Sequence, residues 1–208
     1  MLVNDVTGTS QAESHILHPG TRELYSYWEK IRAENAAPNR ASIDLRQISR
    51  IVPDLMMMER DNMRQSYKWR LAGTSVCRLY QKELTYSDAF TGWGSFERDI
   101  LKKLFDTVVT SLQPCLVRMR LTTNTDEVIG AEMLGLPLQS GNGSRFHIFG
   151  GVFPFRDVAA LHYQEITKME LSGARTIWTE HLPGDKLVAA LNTTRTFGGL
   201  RLVQGGKD

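Results

Sequence analysis

Apolar residues recur along this chain at two spacings, and the switches between them divide it into elements. Leu24, Tyr25, Trp28 and Ile31 fall at helical spacing with polar residues opposite, and Thr21 is placed to cap the helix they predict. Asn35 to Asn39, with Pro38 inside, breaks it. Ser42 or Asp44 then caps a second short helix through Ile51, ended by Pro53. The apolar run Leu55 to Met58 predicts a strand. Tyr67, Trp69 and Leu71 alternate with Lys68 and Arg70, the period of a half-buried strand, and the polar turn Arg60 to Gln65 makes the two a hairpin. Thr74 or Ser75 caps a short helix through Tyr80. After the loop 83–94, Ser95 caps a long amphipathic helix carrying Ile100, Leu101, Leu104, Phe105, Val108 and Val109 on one stripe.

Three strand-like segments follow: Cys115 to Thr122, Val128 to Leu138 and Phe146 to Phe155. The turns between them are Thr123 to Asp126 and the Gly-, Ser- and Asn-rich stretch Gln139 to Ser144. Five antiparallel strands with helices inserted after the second make an α+β domain with an N-terminal helical extension. No crossover helices separate the last strands, so a parallel, Rossmann-like sheet is excluded. Residues 1–18 read as a flexible tail and 19–156 as the domain. Residues 157–208 read as a partly flexible extension, in which His162 to Leu171 suggests a peripheral helix ahead of a glycine-rich end.

Composition narrows the function. The net charge is +2, with 25 basic and 23 acidic residues well mixed, so there is no clustered basic footprint for nucleic acid or an anionic membrane. No apolar stretch approaches the ~20 residues of a membrane span. Two cysteines, Cys77 and Cys115, do not pair as CxxC, and reduced thiols in a cytoplasmic protein are the expectation.

The strand and helix order is that of a PAS domain, and the sequence resembles a PAS-like family common in alphaproteobacteria. The residues that carry the resemblance are Leu24 to Glu29, Pro38 to Asp44, Ile51 to Leu55, Tyr67 to Thr74 and Glu132 to Leu138, the last similar to the family's E-x-L-x-L-P-L strand. The resemblance covers residues 21 to about 155. It implies a PAS fold and a stand-alone sensory or regulatory role in bacterial signal transduction. It brings no shared catalytic residues and no agreed cofactor.

Within that frame the concave sheet face and helices predict a pocket lined by Trp69, Leu71, Cys77, Phe90, Trp93, Phe105 and Phe149. Plain core is the competing reading for aromatics so spaced. The apolar face of the first helix, Leu24, Tyr25 and Trp28, is the expected partner surface, for a homodimer or for a kinase, cyclase or phosphodiesterase. Val76 to Gln81 echoes the flavin-binding LOV motif around Cys77, but Val76 stands where that motif has Asn, so no flavin is assigned. No His lies between His18 and His147, which leaves only His147 as a strand candidate for haem, and none is assigned. His15 and His18 have helical metal spacing but fall in the expected tail. Arg46 and Arg50 match half of an RxxxR phosphate clamp without its second half. Glu132 is the one carboxylate in a strongly apolar strand, expected to pair across strands with Arg118, Arg120 or Arg70. It is also the only candidate acid for the rival reading, a cone-shaped enzyme of the ketosteroid-isomerase type. The expectation is therefore a regulatory module with no catalytic residues, cofactor or metal, and with a small ligand in its pocket as an added property. A ligand-free dimerisation scaffold is the third reading.

Overall fold

The computed structural model describes residues 15–61, 63–139, 146–157 and 164–179. The tail expected before residue 15 and the flexible end expected after 179 lie outside the described residues. Helix α1 spans Pro19–Arg32, and two 3-10 segments, Arg40–Ser42 and Leu45–Asp54, follow it. Next come strands β1 (Leu55–Asp61) and β2 (Ser66–Ala72) and helices α2 (Thr74–Tyr80) and α3 (Ser95–Ser111). Strands β3 (Cys115–Thr123), β4 (Val128–Pro137), β5 (Phe146–Pro154) and β6 (Ile166–Thr176) complete the order.

The strands form one antiparallel sheet in the order β2-β1-β5-β4-β3-β6. The expected five strands and the helices after β2 are in place. The correction lies at the C-terminal side: the segment expected as a peripheral helix contributes β6, paired along β3 from Ile166 to Thr176. Two register shifts against β3 offset its apolar residues, so Ile166, Met169 and Leu171 lose a strand's strict period of two. Beyond β6, Ile177 is buried, and Gln113 accepts hydrogen bonds from the Thr179 amide (2.8 Å) and hydroxyl (3.1 Å).

Both faces of the sheet are covered. On the inner face α2, α3 and the loop before α3 bury Met56, Met58, Tyr67, Trp69, Val117, Met119, Ile129, Met133 and Ile148. On the outer face α1 and the 3-10 segments bury Leu55, Leu116, Leu134, Leu136, Phe149 and Phe153. Successive side chains in a strand point to opposite faces, so β4 and β5 are apolar on both. Gly150 lies where β5 presses on β4: a Cβ there would stand 2.0 Å from the Leu134 carbonyl oxygen. Residues 86–93 run between the two sheet edges. Tyr86 N–H donates to Trp69 O (2.7 Å) and Ala89 N–H to Tyr67 O (2.8 Å), while Trp93 bridges to Met169 on β6. Both edges are thereby partly shielded from pairing with another chain. No helix among the described residues is long and apolar enough to cross a membrane.

Candidate functional site

Of the expected pocket residues, the fold brings four together. Trp69, Phe90, Trp93 and Phe105 are all buried in the inner core. Tyr67, Phe90 and Phe105 form a mutual aromatic cluster with ring centroids 5.6–5.8 Å apart. The Tyr67 hydroxyl donates to Asp106 (2.7 Å), which also accepts from Arg60 (2.9 Å), tying the β1–β2 hairpin to α3. Burial and the Asp106 carboxylate push the pKa of Tyr67 well above the phenol range. Two buried polar atoms near this core, the Tyr80 hydroxyl and Trp93 Nε1, have no hydrogen-bond partner.

The other three expected pocket residues lie elsewhere. Met57 faces Leu71 and Met58 faces Trp69, so Arg70 is an extra residue in β2, and this bulge turns Leu71 away from the face of Tyr67 and Trp69. Leu71 is 47% exposed and borders an apolar groove of about 500 Å³ with Leu45, Val52, Pro53 and Met57. Phe149 is on the opposite parity from Ile148 and belongs to the outer core. Cys77 sits on the flank of α2 beside the buried Val76 and Leu79, its thiol 3.7 Å from Ala72 O. The second cysteine, Cys115, is fully buried, and desolvation pushes its thiol up to about 12, an unreactive state.

The expected partner surface is also corrected. Leu24, Tyr25 and Trp28 are buried under the chain's own sheet, because α1 lies across β4 and β5 rather than facing solvent. Trp28 Nε1 donates to the Pro137 carbonyl (3.0 Å), and the Arg32 guanidinium covers the Trp28 ring at 5.2 Å. His18, not Thr21, caps α1: its Nδ1 accepts from Gly20 N–H (3.1 Å), and Pro19 occupies the first helical position.

Glu132 explains why the chain before α1 is not a loose tail at residues 15–18. Its fully buried carboxylate accepts from Leu17 N–H (3.1 Å), His18 N–H (2.9 Å) and Arg118 Nε (3.2 Å). Arg118 in turn donates to His15 O (2.5 Å), Arg22 donates to Ile16 O (2.7 Å), and Ile16 is buried. The expected cross-strand pair with Arg118 is present. Its carboxylate is spent on backbone and guanidinium donors on the outer face, away from the aromatic interior, which is not the setting of a proton-transfer acid.

Next to this latch lies a polar cleft of about 360 Å³ that sequence reasoning missed. It is lined by His18, Asp54, Ser75, Arg78, residues Phe153 to Arg156, and Asp157. His18 stacks on Phe153 (5.4 Å, 26°) and meets Phe155 edge-on at 5.4 Å. Ser, His and Asp are all present, but not as a triad. Ser75 lies beside Asp54, and His18 Nδ1, the nitrogen that could serve as a base, already accepts from Gly20 N–H. Burial holds Asp54 above the usual carboxylate range against the pull of Ser75 and His18. The four polar residues come from three elements far apart in sequence, so no local motif groups them.

Burial also lowers the His18 pKa below its ordinary 6.5, more than the Glu132 and Asp54 charges raise it. The unfolded chain therefore binds the proton first as pH falls, so the contribution of His18 is complete above about pH 6.5 and lost below it. His18→Asn replaces the capping Nδ1 with an oxygen acceptor that does not titrate. Melting temperatures taken from about pH 7.5 down to about pH 5.5 are expected to fall less steeply in this variant than in the parent. Equal slopes would show that His18 is not held neutral.

The remaining motifs are occupied by local contacts. Arg46 pairs with Asp44 (2.9 Å) and Arg50 with Glu23 (3.1 Å), both exposed, so the two do not converge as a clamp. His147 lies on the outer face, 3.7 Å from Glu59, which also pairs with Arg70 at 3.1 Å. Among the described residues no three His, Cys, Asp or Glu side chains gather as metal ligands do.

No curated protein matches the chain. A family of PAS domains, modules of sensing and regulation, matches residues 16–153, which begin at the buried Ile16 and end at Phe153 on β5. That span takes in α1, both cores and five of the six strands, about two thirds of the 208 residues, and the chain therefore belongs to the PAS domain family.

Proposed function

We propose that the chain is a regulatory module of bacterial signal transduction whose output is contact with another signalling protein of the kinase, cyclase or phosphodiesterase type. The observation that carries this reading is the exposed apolar groove beside Leu71. Trp69, Phe90, Trp93 and Phe105 occupy the inner face of the sheet, while apolar surface remains outside, around Leu45 and Leu71. Signals then pass through surface contacts rather than through chemistry. With Leu24, Tyr25 and Trp28 buried, neither a partner nor a second copy reaches α1's apolar face, and the groove beside Leu71 is the surface offered instead. Unpaired Cys77 and Cys115 thiols fit a cytoplasmic setting.

The test is co-purification from bacterial extract, followed by titration of the purified partner against the parent chain and Leu71→Lys. Saturable binding that weakens about tenfold or more in the variant is expected, since a charge placed in an apolar contact leaves it unpaired. Equal binding by both chains removes the groove from the reading, and no regulator recovered under any growth condition removes the partner.

A second reading, a small molecule held in the interior, draws on the unpartnered Tyr80 hydroxyl and Trp93 Nε1. Native mass spectrometry of the purified chain separates the two: a retained non-covalent mass supports the ligand, and the bare polypeptide mass supports the packed core.

A further inference from the structure

The polar cleft outside the sheet has a composition that selects a ligand. One wall carries Asp54 with Ser75 beside it; another carries Arg78 of α2, which makes no ion pair among the described residues. Asp54 and Arg78 line the same small space, and neither makes an ion pair among the described residues. Opposite charges are thus held in one cleft without closing on each other. The third side is apolar: Phe153, Pro154 and Phe155, with the His18 ring stacked on the first. Arg156 is engaged by Glu127, and the His18 ring is stacked on Phe153 with its Nδ1 accepting from Gly20 N–H, which leaves Arg78 as the cation facing the cleft.

We propose that this cleft binds a free α-amino acid, its carboxylate on the Arg78 guanidinium, its ammonium on Asp54 and its side chain along Pro154 and the half-exposed Phe155. A phosphate or a dicarboxylate is disfavoured by the Asp54 carboxylate in the wall, and a simple cation by Arg78. A zwitterion satisfies both ends at once, and an Arg–carboxylate contact has the planar match that fixes orientation. The volume, about 360 Å³, is at the small end of ligand sites. Bringing an ammonium ion to Asp54 also relieves the cost of holding that carboxylate away from water. The ligand would join the start of α1, the end of the 3-10 segment, α2 and the end of β5, and so stiffen the seat of the helix that Glu132 secures. This inference stands apart from the partner reading and can fail without it.

Calorimetric titration of the full chain with each of the common L-α-amino acids is the test, with a matched primary amine, a matched monocarboxylate and inorganic phosphate as further probes. Saturable binding of one amino acid or a small group is expected, with the amine and the monocarboxylate each at least about tenfold weaker. Asp54→Asn and Arg78→Gln are each expected to weaken it about tenfold while leaving the melting temperature without ligand close to that of the parent. Amide chemical shifts of Ser75, Arg78 and Phe155 in the unsubstituted chain should move on titration, which keeps the test independent of how the variants fold. No binding by any amino acid, or unmoved shifts at those amides, overturns the proposal. So does a phosphate or monocarboxylate binding as tightly as the amino acid with no dependence on Asp54, which would mark a plain anion site.

Discussion

Trp28→Ala is expected to destabilise the domain by about 4 kcal/mol, lowering the melting temperature by roughly 10 °C. The side chain is wholly buried between α1 and the outer face of the sheet. Truncation removes its apolar area from that core and opens a cavity whose walls, Leu134, Leu136 and Phe149 among them, belong to strands already fixed by pairing on both sides. Such walls collapse poorly, which places the cost in the upper part of the range for aromatic truncation. The loss of the indole N–H also leaves the Pro137 carbonyl without its donor. Trp28→Phe is the informative partner variant: it keeps most of the apolar volume and loses the hydrogen bond, so about 1–2 kcal/mol is expected. Thermal melts of both variants check the ordering. A Trp28→Ala chain that melts like the parent would mean that α1 is not seated as described, and would return Trp28 to the role of an exposed contact residue.

Trp28 shows where a single sequence stops being informative. Leu24, Tyr25 and Trp28 announce an apolar helix face, but the periodicity says only that the face is covered, not by what. The sheet below it was equally ambiguous. Leu134 and Leu136 face α1 while Met133 faces α3, and a strand covered on both sides has no polar alternation to reveal which residue points where. Phe149 faces the outer core for that reason without any sign of it in the sequence. Leu71 was misplaced for another: the extra residue at Arg70 reverses the parity of the strand, and nothing in Tyr67-Lys68-Trp69-Arg70-Leu71 marks the bulge. The register shifts along β6 did the same on a larger scale and made a strand look helical. What survived was signalled redundantly: α3 by its long apolar stripe, β3 by clean alternation of Val117, Met119 and Leu121 with charged residues, and the turns by their Gly, Asn and Asp content. The polar cleft had no linear signal at all. His18, Asp54, Ser75 and Arg78 meet only because the start of α1 and the end of the 3-10 segment converge beside α2.

Glu132→Ala is expected to cost about 3 kcal/mol and to release the chain ahead of α1 while leaving the sheet intact. The carboxylate serves three donors, and two of them are the backbone amides of Leu17 and His18, which have no helical carbonyl to turn to before α1 begins. Removing one partner of a buried ionic group usually costs more than the pair contributes, because the groups left behind are desolvated without compensation. Here Arg118 is 34% exposed and recovers hydration, so the penalty falls at the lower end and rests mainly on the two amides. Glu132→Gln retains one acceptor oxygen but presents an NH₂ to the other donors, and about half the loss is expected. Hydrogen exchange separates this local account from a general weakening of the domain. Leu17 and His18 amides should lose protection in Glu132→Ala, while the amides of β3 and β4, paired strand to strand from Cys115 to Thr122, should keep theirs relative to global unfolding. A uniform loss across the sheet would mean that Glu132 is simply core. Selective loss at residues 17 and 18 would establish that the attachment of α1 is set from β4, and so that any contact or ligand acting on β4 and the neighbouring cleft can reach the helix through one carboxylate.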